Sequence, residues 1–218
     1  GMSGRITFTI LGCGSSGGVP RVAFGWGACN PENPKNRRRR CAILVEKIAE
    51  NGGATTVVVD TGPDLREQLL AAQVQDLDGV LLTHAHADHI HGVDDLRPLF
   101  IHHRRRIDLY SDTPTSKVLN SRFRYIFETP AGSDYPPIAV ERRLTPGVAV
   151  SISGEGGDLT ALPFRQTHGN IDALGFRFND VAYSSDLNDL PEESVALLQG
   201  LDLWIVDALR YTRHPSHF

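Results

Sequence analysis

Five side chains able to bind a divalent metal, His84, His86, Asp88, His89 and His91, fall within eight consecutive residues. Imidazole nitrogens and carboxylate oxygens are the ligands that borderline cations prefer, and a polar loop that happens to be histidine-rich accounts poorly for such density. The cluster follows the apolar run Val80-Leu81-Leu82, bounded by Gly79. That run predicts a short buried strand delivering the cluster to its end. The pattern points to a metal site.

Further potential ligands stand at the ends of other predicted strands. His168 follows a strand over 159–166, and Asp186 follows one over 181–184. A lone histidine or aspartate at a strand end is ordinarily structural, but the upstream cluster implies a site that needs more ligands. Asp60-Thr61-Gly62 closes another strand, over 55–60.

The chain opens with a strand over 6–11 that runs into Gly12-Cys13-Gly14-Ser15-Ser16-Gly17-Gly18. A glycine-rich loop of GxGxxG form after a strand invites a dinucleotide-binding reading. Pro20 stands where the helix would run, and Glu32 lies in a Pro/Asn-rich loop instead of at a strand end. A loop lining an active site, with Ser15 and Ser16 facing the substrate, fits better.

Strands over 41–48 and 55–60 flank Asn51-Gly52-Gly53, a hairpin signal. Pro63 and Asp64 open a helix through Val74, and the segment Asp88 to Phe100 starts as a helix. A strand over 107–111, a helix over 114–127, strands over 148–153, 174–178 and 203–207, and a helix over 191–199 complete the reading. Strands with interspersed helices and few strict βαβ alternations favour a layered α/β sandwich.

Composition sets bounds. With 218 residues, 40% hydrophobic and 22% charged, the chain reads as one ordinary globular domain over residues 5–218. A formal charge of −4 gives no global pull toward nucleic acid, although Arg37–Arg40 and Arg104–Arg106 are locally basic. Cys13, Cys29 and Cys41 are too few for a disulfide framework and include no CxxC pair, which points to a reducing, cytoplasmic compartment. No run approaches the length of a membrane span, and Gly1 before Met2 reads as an expression scar.

The HxHxDH run His84–His89, with Asp60-Thr61-Gly62, His168 and Asp186 in that order, resembles the metallo-β-lactamase fold along essentially the whole chain. The resemblance implies an αββα four-layer sandwich holding two metal ions, zinc or manganese. His84, His86 and His168 would bind the first ion, Asp88 and His89 the second, and Asp186 would bridge both. Asp60 would orient a ligand imidazole, and His91 has no ligand counterpart. Family members supply a last histidine from a further C-terminal strand, which does not appear before Phe218, so a continuation of the chain is expected.

Within the family, true β-lactamases carry cysteine where Asp186 stands, and glyoxalase II-like thioesterases lack the glycine-rich opening. The tRNA 3′-processing endonucleases insert an arm between the equivalents of His168 and Asp186, an interval of only 18 residues here. The opening over 11–20, the basic run 36–41 and the ending Asp207…His217 are most similar to phosphodiesterases of small phosphate esters, typified by phosphoribosyl 1,2-cyclic phosphate phosphodiesterase. Only Cys29 and Cys41 remain of that group's extra zinc site. The resemblance makes Asp88 and Asp186 catalytic through the metals, His217 the acid that protonates a leaving alkoxide, and Arg40, within Arg37–Arg40, a holder of a distal phosphate. The expected partner is a small phosphate ester and no membrane, with a homodimer left open. A tRNA-type nuclease and a metal-retaining module without turnover are the alternatives.

Overall fold

The computed structural model describes residues 4–12, 22–23, 39–185 and 189–206, and the backbone of 210–212. Ser15, Ser16, Cys29, Asp186 and His217 lie outside the described residues.

Two six-stranded sheets carry the architecture. The first contains β1 (Arg5–Gly12), β2 (Ala42–Ile48), β3 (Ala54–Val59), β4 (Gly79–Leu81), β5 (Ile107–Ser111) and β6 (Ala139–Arg143), in that spatial order. The second contains β7 (Val150–Ile152), β8 (Leu159–His168), β9 (Ile171–Phe178), β10 (Val181–Ser184), β11 (Leu203–Val206) and β12 (Arg210–Thr212), also in chain order. Helices α1 (Leu65–Ala71), α2 (Ala87–Ile90), α3 (Arg97–His103) and α4 (Thr113–Arg122) connect the strands of the first sheet, and α5 (Glu192–Leu197) joins β10 to β11.

Alternation along the strands builds the layers. On β2, Ile43 and Val45 pack between the sheets with Val57, Val59, Phe176, Phe178 and Tyr183, while Ala42 and Leu44 point the other way. There they join Val58, Leu65, Leu69, Leu96 and Leu119 under the helices. On the far face of the second sheet, Phe164, Ala182 and Trp204 pack with Leu198 and Leu201, behind α5. This is the four-layer αββα arrangement. Among the described residues no helix is long and apolar enough to cross a membrane.

Five features differ from the sequence reading or add to it. Three of the five strand pairs of the first sheet, β3–β4, β4–β5 and β5–β6, are parallel, each joined through a helical connection. Alternation ending in Arg142-Arg143 hides β6, an edge strand paired on one side only. The helix after Asp88 stops at Ile90, gives way to a 3-10 turn at Val93–Leu96 and resumes as α3 with Pro98 in its first turn. The helix after Asp112 ends at Arg122, where Phe123 adopts φ −132°. Finally, β8 extends through His168 and turns at Gly169 (φ 59°) directly into β9, a hairpin that carries no hydrophobic alternation at its tip.

Candidate metal centre

Strand β4 ends at Leu81, and Leu82-Thr83-His84 leaves the sheet edge toward the second sheet. Leu174 on β9 donates its backbone N–H to the Thr83 carbonyl at 2.8 Å, tying the two sheets together where the histidines begin. That tie brings His168, at the end of β8, against the upstream cluster. His84, His86 and His168 each offer a ligand atom, all within 4.8 Å of one another. Their rings stand 4.7–5.4 Å apart by centroid, edge to face. His84 is buried, His168 half-buried and His86 exposed, so the trio lines an opening to solvent.

The donor set fits a divalent metal. His168 Nδ1 is buried and has no hydrogen-bond partner among the described residues. A buried imidazole nitrogen without a proton partner costs free energy unless something electrophilic meets it.

A single buried carboxylate organises these side chains. Asp60 is fully buried at the end of β3 and holds φ 74°, a left-handed conformation uncommon for a residue with a side chain. It accepts from the Thr83 backbone N–H (2.9 Å), from the Thr83 hydroxyl (2.8 Å to Oδ2) and from His89 Nδ1 (2.5 Å). The tautomers follow from this network. With its Nδ1–H given to Asp60, His89 presents Nε2 as its basic nitrogen; that nitrogen lies 3.1 Å from Asp88 Oδ2, the contact a bound ion would replace. Burial pushes the Asp88 carboxyl up, but where His89 and His84 are protonated in the metal-free site, the hydrogen bond and charge of His89 with the charge of His84 outweigh it and hold the group below its ordinary value. The Thr83 hydroxyl has one proton, which goes to the acceptor-only carboxylate. Its lone pair therefore accepts from His84 Nδ1, 2.8 Å away, and leaves His84 Nε2 in the form that binds a metal.

Sequence reasoning found Asp60 but missed Thr83, whose type and position carry no chemical signal before the contacts are seen. Thr83→Val keeps the shape and removes the relay to His84 together with one of the donors to Asp60. The first ion should bind about 10-fold more weakly while the Asp60–His89 contact persists. A competitive titration against a chromophoric chelator checks this, and equal loss at both ions would contradict the assigned relay.

Two glycines let the loops meet. Gly62 sits where a Cβ would stand 2.1 Å from the Asp88 carbonyl, and Gly92 where one would stand 1.8 Å from the Gly62 carbonyl. The space they leave is used by Thr61 N–H donating to the His89 carbonyl and Gly92 N–H donating to the Thr61 carbonyl, both at 2.8 Å.

The remaining sequence candidates are placed differently. Arg40 pairs with Asp64 at 2.8 Å, and its own backbone N–H donates to the same carboxylate, so its charge is neutralised at the foot of α1. His91, at the end of α2, is exposed and reaches Arg122 at 3.3 Å. Cys41 is buried, with no disulfide among the described residues.

The fold and this site define a metallo-β-lactamase-type scaffold. A model described as the beta-lactamase superfamily domain matches residues 55–218, and the chain belongs to that superfamily. It is 33% identical over 211 residues to an octanoyltransferase of Porphyromonas gingivalis (strain ATCC BAA-308 / W83), covering 95% of this chain and 40% of that protein. It is 30% identical over 167 residues to ribonuclease Z of Bradyrhizobium sp. (strain ORS 278), covering 75% of this chain and 51% of the relative. The chain thus spans about half, or less, of the curated relatives it matches. Among solved structures it is similar to a diphosphatase of the PhnP family, with 34% identity and a TM-score of 0.78 over 97% of this chain and 77% of that one. That likeness agrees with the phosphodiesterase group the sequence resembles.

Proposed function

We propose that this chain is a metal-dependent hydrolase of phosphate esters, with two divalent ions, zinc or manganese, at the His84 site. The observation that carries the reading is the convergence of His84, His86 and His168 beside the Asp88–His89 pair, with both imidazole tautomers set by Asp60. His84, His86 and His168 would hold the first ion and Asp88 and His89 the second, with Asp186 between them. Bound there, the ions supply a water acidified to near-neutral pKa and positive charge for the phosphate oxygens. The chain's own residues do the rest. Asp60 and Thr83 keep ligand nitrogens unprotonated, Leu174 fixes the distance between the sheets, and His217 is assigned the proton for the leaving oxygen.

The diphosphatase relative makes a P–O–P linkage a form to test beside the phosphodiester. The tRNA-nuclease alternative is weakened by the chain between His168 and Ser185, which β9 and β10 occupy, leaving no room for an inserted arm. The alternative of a binding module without turnover is addressed by the same assay.

The test is elemental analysis of the purified protein followed by hydrolysis of bis(p-nitrophenyl) phosphate with manganese or zinc. Two ions per chain and turnover that a chelator abolishes are expected. Full metal loading with no cleavage of any diester would overturn the hydrolase reading, and efficient cleavage of pre-tRNA would move the substrate class to RNA.

A further inference from the structure

Gln166 reaches across a strand. It is fully buried on β8, two residues before His168, and shares a face of the strand with Phe164. Its Nε2 donates to the Ser185 carbonyl at 2.6 Å. β9 lies between β8 and β10 in the sheet, and Ser185 follows the last residue of β10, so the amide must cross β9 to make this bond. Gly175 on β9 opens the crossing. A Cβ there would stand 2.2 Å from the Phe164 ring and 2.9 Å from Gln166 Oε1.

The next residue of β8 makes a second tie. Thr167 donates its backbone N–H to the Asp189 carbonyl at 2.9 Å and its hydroxyl to the same oxygen at 3.2 Å. Ser185 and Asp189 are therefore fastened to consecutive residues of one strand, with only residues 186–188 between them. The residue after Thr167 is His168, whose ligand atom lies within 4.8 Å of those of His84 and His86. Both ties thus sit at the edge of the metal centre. Gln166 Oε1 is buried and has no hydrogen-bond partner among the described residues. An amide left half-satisfied in a buried place costs free energy, so its donation to Ser185, and not its burial, accounts for a glutamine here.

We propose that Gln166 is a positioning residue of the metal centre: by holding the Ser185 carbonyl it sets the stretch from Ser185 to Asp189 against the strand end that carries His168. The proposal rests on the hydrolase reading above, which assigns Asp186, within that stretch, to both ions, and it deepens that reading. Asp60 supports a ligand by bonding its side chain, His89 Nδ1. Gln166 acts one step further out, on the main chain next to a ligand. Fixing the backbone on either side of residues 186–188 limits where the Asp186 carboxylate can reach, and so sets its spacing from His168. Because that carboxylate is assigned to both ions, loss of the tie reaches both.

Gln166→Met keeps the length of the side chain and removes the donor. Chelator competition with zinc, well below the unfolding temperature of the metal-free variant, reads the affinity of each ion. Both ions should bind about 10-fold more weakly, whereas Thr167→Val, which keeps the backbone bond to Asp189, should stay within about threefold of wild type. Hydrogen–deuterium exchange of the metal-free protein separates positioning from plain stability. Exchange over residues 185–189 should quicken in Gln166→Met while β3 and β4 stay as protected as in wild type. If Gln166→Met does not fold, Gln166→Asn, whose amide is one methylene short of the carbonyl, is put through the same measurements. Unchanged affinity for both ions, a loss confined to the first ion, or faster exchange spread evenly over all strands would overturn the positioning role and leave the hydrolase reading standing. A wild-type protein that takes up fewer than two ions per chain would overturn the two-ion assignment and the positioning role with it.

Discussion

Asp60→Asn should weaken binding of the ion proposed at Asp88 and His89 by about 10- to 100-fold, the range seen when the partner of a metal-bound histidine is changed. The carboxylate faces only donors: the Thr83 N–H, the Thr83 hydroxyl and His89 Nδ1. An asparagine has one acceptor oxygen for them and brings an NH2 group of its own. Turned one way, the NH2 confronts the Thr83 N–H. Turned the other, it meets His89 Nδ1, which can accept only by moving its proton to Nε2, the nitrogen the ion needs. Either orientation damages the site, and the loss reaches His84 through the Thr83 hydroxyl. Because the group is fully buried, the unsatisfied donor should also cost about 1–3 kcal/mol of stability. Chelator competition reads the affinity and thermal unfolding of the metal-free protein reads the stability. Unchanged affinity for both ions would remove Asp60 from the role given to it.

That network shows where the sequence was legible. Histidine and aspartate advertise metal chemistry by type, so His84, His86, Asp88, His89 and His168 stood out without coordinates, and the strand before them located the site at a sheet edge. Period-2 runs such as 42–48 and 54–59 exposed the buried strands for the same local reason. What stayed hidden depends on residues distant in sequence meeting in space. Thr83 matters because Asp60, 23 residues away, folds back onto it. The contact of Arg122 with His91, 31 residues earlier, was hidden for the same reason. The segment from Asp88 starts as a helix, as read, but the sequence did not show that it ends before Gly92, whose backbone is committed to Thr61. Edge strand β6 lacks a second strand partner, and so lacked the two-sided burial that makes a strand readable.

Gly92→Ala tests that last contact, and it should be the most damaging single-methyl change near the site. The φ of Gly92 is −100°, which any residue adopts, so the glycine is required for space and not for backbone freedom. A methyl would stand 1.8 Å from the Gly62 carbonyl oxygen and 3.2 Å from that of Thr61, both backbone atoms that no rotamer change can clear. The loop after Asp60 must therefore part from α2, breaking the Gly92–Thr61 hydrogen bond and straining Thr61–His89. Overpacking of this kind costs about 1–3 kcal/mol or more. The functional loss should exceed the stability loss, because α2 carries Asp88 and His89 while the loop carries Asp60, and a shift of about 1 Å at a catalytic centre can lower turnover ~100-fold. The measurement is kcat on bis(p-nitrophenyl) phosphate at saturating metal, alongside thermal unfolding. A folded variant with wild-type turnover would mean that the Asp60 loop and α2 can separate without moving the ligands, and that the close approach of Gly62 and Gly92 serves packing alone.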